Sequence, residues 1–143
     1  MKLGNMFQNR LMHRIVDKDT GKIIISRDLV IEKGYSFDEF KQTSYYTNQD
    51  AQMAFGLGQS FVIGSMEYGV TLVFDEEIIS QIHLWYAGED MPPYPSDEIA
   101  RAKYVQILEL DGYDVWNQFE WGGIAYEYDP RMSDGSLIIW YNN

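Results

Sequence analysis

The amino-acid sequence predicts one α+β domain, residues 1–143, in which two helices pack on a mainly antiparallel sheet. The length of 143 residues is that of one ordinary domain. Segments with alternating apolar and polar side chains are separated by turn sequences, and two other segments begin with helix-capping signals. The expected order, ββαβββαββ, lacks the β-α-β alternation of a parallel sheet. It therefore favours an antiparallel sheet with its helices on one face.

Two strands and a turn are predicted at the start of the chain. Segments 11–17 and 22–26 flank Asp17-Lys18-Asp19-Thr20-Gly21, in which Asp and Gly suit the left-handed positions of a short hairpin loop. The D-x-D-x-G spacing also begins calcium-binding loops, but apolar residues 23–25 follow where such a loop needs acidic ligands. We therefore interpret this segment as a turn.

A capping box marks the first helix. Ser36 and Glu39 have the S-x-x-E spacing, in which a hydroxyl and a carboxylate each bind a free amide of the first turn. Tyr35 and Phe40 occupy the positions of a hydrophobic staple. A short helix is expected to begin at Phe37.

Three strands are expected after a polar, glycine-rich loop over 44–58. They are predicted over 59–66, 69–75 and 78–86, and the third is expected at the centre of the sheet because both its faces are partly apolar. Simple alternation places four residues of this third strand on one face: Ile79, Gln81, His83 and Trp85.

A second helix is predicted from Asp97 to about Asp111. Ser96 follows a proline-rich break and suits the N-cap, and Gly112 suits the end of the helix. The apolar residues of this helix do not form one clean stripe, so we expect it to be covered on more than one side.

The last two strands are predicted over 119–129 and 137–141, in an acidic stretch rich in Trp and Tyr. Alternation places Ile124 and Tyr126 on one face and Ala125 and Glu127 on the other, so most of these aromatic residues are expected in the core. Two tryptophans near strand or loop ends, Trp116 and Trp121, fit this account less well.

Several chemistries are excluded or disfavoured by the composition. The chain has no cysteine, which excludes disulfides, thiolate catalysis and cysteine metal sites. Its two histidines, His13 and His83, lack metal-ligand spacing, and no nucleophile or phosphate-loop motif occurs. We expect no cofactor and no metal. Acidic clusters such as 75–77 leave a carboxylate-dependent hydrolase as an alternative.

Charge is distributed unevenly along the chain. Residues 1–71 hold eight basic and eight acidic residues, whereas residues 72–143 hold three basic and fourteen acidic ones, so the whole net charge of −11 lies in the second half. Such a field disfavours nucleic acid and favours a basic protein partner. The same acidity would also serve solubility alone.

The sequence also predicts the cellular compartment of the protein. The N-terminal residues MKLGNMFQNRLMHRIVD have no apolar core of a signal peptide, and no run reaches the length of a membrane helix. A cytoplasmic protein without membrane attachment is therefore expected.

The layout "DLVIEKGYSFDEF", then "TLVFDEEIISQIHL", then "WGGIAYEYDPRMSDGSLIIWY" resembles that of small bacterial proteins, some of which are similar to immunity proteins of toxin systems. The resemblance implies an acidic, non-enzymatic inhibitor of a basic toxin. It assigns no functional residue.

The predicted function is non-enzymatic binding of a basic protein, because tryptophan supplies anchor area and carboxylates pair with basic side chains. A small-ligand-binding domain that uses Trp85, Trp116 and Trp121 is the other alternative. The candidate binding residues lie in the acidic half: Trp116, Glu120, Trp121, Glu127 and Asp129.

Overall fold

The computed structural model describes residues 14–143, and in these residues the predicted α+β class and the predicted order of strands and helices are confirmed. A three-residue strand is added before the last two. The elements are β1 (Ile23–Ser26), β2 (Leu29–Ile31), α1 (Phe37–Phe40), β3 (Phe55–Ile63), β4 (Met66–Asp75), β5 (Ile78–Tyr86), α2 (Asp97–Leu110), β6 (Trp116–Gln118), β7 (Gly122–Asp129) and β8 (Asp134–Tyr141).

Six strands form one antiparallel sheet in the order β3-β4-β5-β8-β7-β6, and β1 and β2 form a separate two-stranded sheet. The predicted central position of β5 is confirmed. The two edges of the large sheet are irregular or short. The register of β3 against β4 is interrupted between Gly56 and Ser60, and β6 has only three residues.

Both helices begin where the capping signals predict. In α1 the Ser36 hydroxyl accepts a hydrogen bond from the Glu39 amide, and the Glu39 carboxylate accepts one from the Ser36 amide. In α2 the Ser96 hydroxyl accepts a hydrogen bond from the Ile99 amide, and Gly112 follows the helix with a φ of +80°. These local signals therefore fix both helix starts.

One face of the large sheet is covered and holds the core. Helix α2 packs on β7 and β8, the β1–β2 hairpin packs on β3, and α1 packs its two phenylalanines on Phe55 and Phe74. The side chains beneath them form one continuous buried cluster that includes Leu72, Ile82 and Ile139. We call this side of the sheet the covered face.

The expectation that α2 is covered on more than one side is wrong. Only one side of the helix is buried, through Ala100, Tyr104, Ile107 and Leu108. Ile99 and Leu110 lie on its exposed side, at 50% and 68% exposure.

The prediction of a first strand over 11–17 is also wrong for the residues of this segment that the structure describes. Residues 11–13 lie outside the described residues, and residues 14–16 form bends. The amide of Ile15 donates to the carboxylate of Asp111 at 2.7 Å instead of to a neighbouring strand. The turn is confirmed: the Asp17 carboxylate accepts hydrogen bonds from the amides of Asp19 and Thr20. The hairpin is formed instead by the next pair of segments along the chain, β1 and β2.

Strand boundaries in the middle of the chain differ from the predicted ones. β3 begins inside the predicted loop, and β4 begins three residues early at Met66. A bulge at Ser80 leaves Val73 opposite Gln81 but Phe74 opposite Ile79. Because one extra residue reverses the facing of a strand, Ile79 lies in the core and not with Gln81.

No helix among residues 14–143 is long and apolar enough to cross a membrane.

Candidate functional site: the open face of the sheet

The face of the large sheet opposite the helices is lined mostly by half-buried and exposed side chains, with Ser136 and Ala125 buried among them, and we call it the open face. Among residues 14–143 no helix packs against it, and two adjoining depressions of about 510 and 520 Å³ run along it. Its main side chains, from β4 to β6, are Thr71, Gln81, His83, Trp85, Ser136, Ile138, Trp140, Ala125, Glu127 and Trp116.

A pair of tryptophans lies at one side of the open face. The ring centroids of Trp116 and Trp140 are 4.8 Å apart and their planes are tilted by 33°. Gly123 lies beneath the Trp140 ring, and a Cβ at this position would overlap both that ring and the carbonyl of Asn117. The absence of a side chain at 123 therefore lets the Trp140 ring lie close to the backbone of β7. Trp116 is 65% exposed.

Glu127 occupies the middle of the open face and borders both depressions. Trp116 pairs across the strands with Ala125, and Glu127 is two residues further along β7 on the same side. Diagonal neighbours of this kind are about 7–8 Å apart, within reach of an aromatic and a long side chain. Trp116 and Glu127 therefore bound the same depression.

A hydrogen-bonded cluster occupies the part of the open face on β4 and β5. The Trp85 indole donates to the Thr71 hydroxyl at 3.1 Å, and His83 Nε2 lies 2.9 Å from Gln81 Oε1. Burial lowers the pKa of His83, against a smaller opposing effect of Glu127. Neutral imidazole is therefore favoured next to the Trp85 ring.

Asp129 lies at the rim and is already paired. Its carboxylate accepts hydrogen bonds from the amide and the guanidinium of Arg131, the latter at 3.3 Å. These hydrogen bonds hold the pKa of Asp129 below its usual value. Both residues border the depression beside His83.

Two of the candidate binding residues predicted from the sequence, Glu120 and Trp121, lie away from the open face. Trp121 differs more from its predicted role. It is only 5% exposed, its ring stacks on Phe119 at 5.5 Å, and its indole donates to the carbonyl of Lys18 at 2.7 Å. It is a core residue and not an exposed anchor. Glu120 is exposed in the β6–β7 turn, where its carbonyl accepts a hydrogen bond from Asn142.

The structure thus brings Trp116, Glu127 and Asp129 to one face and leaves Glu120 and Trp121 elsewhere. Sequence reasoning left Trp140 out of the site, although its alternation with Ile139 in β8 was a usable signal. It also left out His83, whose neighbours across the sheet depend on the order of the strands.

The open face offers aromatic surface, amide groups and the carboxylate of Glu127, which forms no ion pair with residues 14–143. Among the described residues, no three histidine or acidic side chains converge as they would around a metal ion. Such a set of groups can bind a flat or cationic group by stacking and charge pairing. Comparison with protein-family models, curated proteins and solved structures finds no match for this chain.

Proposed function

We propose that this chain is a non-enzymatic protein-binding domain whose open face receives a basic partner. The observation that carries this proposal is the exposed Trp116 ring, backed by Trp140, on a sheet face that no described helix covers. Tryptophan is enriched among the residues that dominate the binding energy of protein interfaces.

The width of the open face favours a protein over a small molecule. From β4 to β6 it spans four strand spacings, about 19 Å in all. An α-helix with its side chains is about 10–12 Å across, so the face has room for an element of another protein.

Charge supports a basic partner. The half of the chain that carries the whole net charge of −11 also supplies β5, β6, β7 and β8, which form most of the open face. Glu127 and Asp129 are the acidic residues of this half that border the two depressions of the open face. A net negative charge accelerates encounter with a positively charged protein. In its sharpest form, the proposal makes the chain an immunity-type inhibitor of a basic toxin.

Site-specific crosslinking tests the docking face. A photoreactive phenylalanine analogue replaces Trp116 in one variant and Tyr94 in the other, since Tyr94 is an even more exposed aromatic residue, on the loop before α2. In cells that naturally produce the chain, we expect a protein adduct from position 116 and not from 94. The identified protein, once purified, should bind the unmodified chain and bind Trp116→Ala more weakly. Equal adducts from both positions would contradict the proposal.

The association rate with that purified partner tests the role of charge. Replacing Glu120, Glu127 and Asp129 by amides should slow association and flatten its salt dependence, because salt shortens the Debye length from about 30 Å at 0.01 M to about 8 Å at 0.15 M. The matched control neutralises Asp17, Asp19 and Asp28, which lie in the balanced half. Association rates measured by stopped flow at these two salt concentrations test this expectation. Equal effects of both triple changes would leave the acidity as a solubility feature.

A small ligand is a second candidate occupant. The observation that favours it is the depression of about 520 Å³ beside His83 and Trp85, whose side chains are already positioned by hydrogen bonds. Crosslinking from 116 that yields no protein adduct would favour this candidate instead.

A further inference from the structure

Glu127 and Trp116 border the same depression of the open face, and no cation of residues 14–143 forms an ion pair with the Glu127 carboxylate. Residues 14–143 contain three ion pairs, made by Asp38, Asp90 and Asp129. Glu127 makes none of them, although both Glu127 and Trp116 are exposed. A carboxylate and the face of a tryptophan both attract the same kind of group, which is a cation.

Elsewhere the chain shows such a combination completed by its own cation. Lys103 Nζ lies 2.8 Å from the Asp90 carboxylate and 4.8 Å from the ring centroid of Tyr86. The Tyr86 hydroxyl donates to the same carboxylate at 2.6 Å. Ring, carboxylate and cation are thus held together at the surface. The Trp116–Glu127 pair has the ring and the carboxylate but no third member from residues 14–143.

We propose that an arginine side chain of the partner supplies this third member, lying on the exposed face of Trp116 and pairing with Glu127. This inference rests on the proposed function. The cross-strand geometry fits: a cation within about 6 Å of the Trp116 centroid is still within reach of a carboxylate at a diagonal position.

Arginine suits the position better than lysine. Its guanidinium is planar and weakly hydrated, so it can stack on an indole and present two N–H groups to a carboxylate at the same time. A lysine ammonium is compact and strongly hydrated, and it cannot form the bidentate pair. The acidic half of the chain attracts both side chains, whereas this geometry distinguishes them.

Two peptides of equal charge test the inference on the full chain. The probes are amidated hexa-arginine and hexa-lysine, with affinities measured by isothermal titration and the Trp116 indole N–H followed by NMR. We expect hexa-arginine to bind more tightly by at most about two- to five-fold, which is the whole value of one exposed cation–π contact. The Trp116 indole signal should shift with hexa-arginine.

Four variants test whether the preference for hexa-arginine depends on Trp116 and Glu127. Trp116→Ala and Glu127→Gln should each reduce the preference for hexa-arginine to near parity. Glu109→Gln removes the same charge from an exposed position on α2, and Tyr94→Ala removes an exposed ring outside the open face. Both controls should keep the preference. Because all four side chains are exposed or at the surface, circular dichroism should show that every variant folds.

The outcomes separate the two proposals. Equal affinity for both peptides, or a preference that survives in Trp116→Ala and Glu127→Gln, overturns the arginine inference. If position 116 still crosslinks a partner in that case, the docking face stands and only its arginine anchor fails. An arginine preference confined to Trp116 and Glu127 supports the inference. Equal crosslinking from 116 and 94 overturns the proposed function separately.

Discussion

Two tryptophans five residues apart belong to opposite surfaces of the same sheet. Trp121 lies in the core, between Phe119 and Tyr141, and its indole N–H donates a hydrogen bond to the backbone carbonyl of Lys18. Trp116 lies on the open face with most of its ring in contact with solvent. The difference shows that one acidic, aromatic-rich stretch supplies side chains to both faces of the sheet. Aromatic side chains on the covered face are buried in the core, whereas Trp116 on the open face is exposed to solvent.

Truncating each tryptophan gives the largest expected contrast. Trp121→Ala should lower the free energy of unfolding by about 3–5 kcal/mol, because it leaves a cavity and an unpaired Lys18 carbonyl. Trp116→Ala should cost about 1 kcal/mol or less, the loss of one aromatic pair. Urea unfolding of both variants measures this. Similar losses would mean that the open face is also part of the stabilising core.

A methyl group under the tryptophan pair should have the next largest effect. Gly123→Ala places a Cβ against the Trp140 ring and the Asn117 carbonyl, so we expect a loss of about 1–3 kcal/mol and a changed near-ultraviolet circular dichroism signal. Gly69→Ala is the matched control, since a Cβ there meets Trp85 at an ordinary 3.8 Å. A neutral Gly123→Ala would show that the pair does not need close approach to the backbone.

Removing the N-cap hydrogen bond of α1, which lies on the covered face, should have a smaller effect on stability. Ser36→Ala removes the hydrogen bond to the Glu39 amide and should cost about 1 kcal/mol. Binding through the open face should be unchanged, because α1 lies on the other side of the sheet. Denaturation and peptide titration of the same variant test both statements. A stability change near zero would indicate that Phe37 and Phe40 hold this turn without the cap.

The smallest expected effect has the opposite sign and depends on pH. Burial raises the pKa of Asp111, against the opposing effects of its hydrogen bond from the Ile15 amide and of the charge on Arg14. A raised pKa in the folded state means that stability is lost as pH rises through it. Asp111→Asn should therefore stabilise the protein at pH 7, and the gain should disappear below about pH 4. Glu127→Gln, on the open face, should show no such gain at pH 7.

Sequence patterns predicted the parts of the fold that depend on near neighbours. Ser36 and Ser96 mark both helices because a cap is a contact within four residues. The alternation in β7 assigned its faces correctly because the hairpin of β7 and β8 is regular. The bulge at Ser80 was not predictable in this way. It is an irregularity between two strands, and it reversed the expected facing of Ile79.

The candidate site was predictable only in part, for the same reason. Trp116 and Trp121 look alike in sequence, since the predicted pattern places both near strand or loop ends. Their different burial is decided by distant partners, above all the carbonyl of Lys18, which lies 103 positions away from Trp121. Likewise, the pairing of β5 with β8 brings His83 opposite Ile138, and that strand order has no local signal.

The unequal edges of the large sheet have a consequence for self-association. A long, regular edge strand offers a row of free amides and carbonyls to which another chain can add as a further strand. At one edge β6 offers only three residues, and at the other the register of β3 is interrupted between Gly56 and Ser60. Neither edge presents a continuous template, so growth of the sheet into an aggregate is disfavoured. Concentrated solutions of the protein should stay free of cross-β fibrils even though the chain is rich in β-strands.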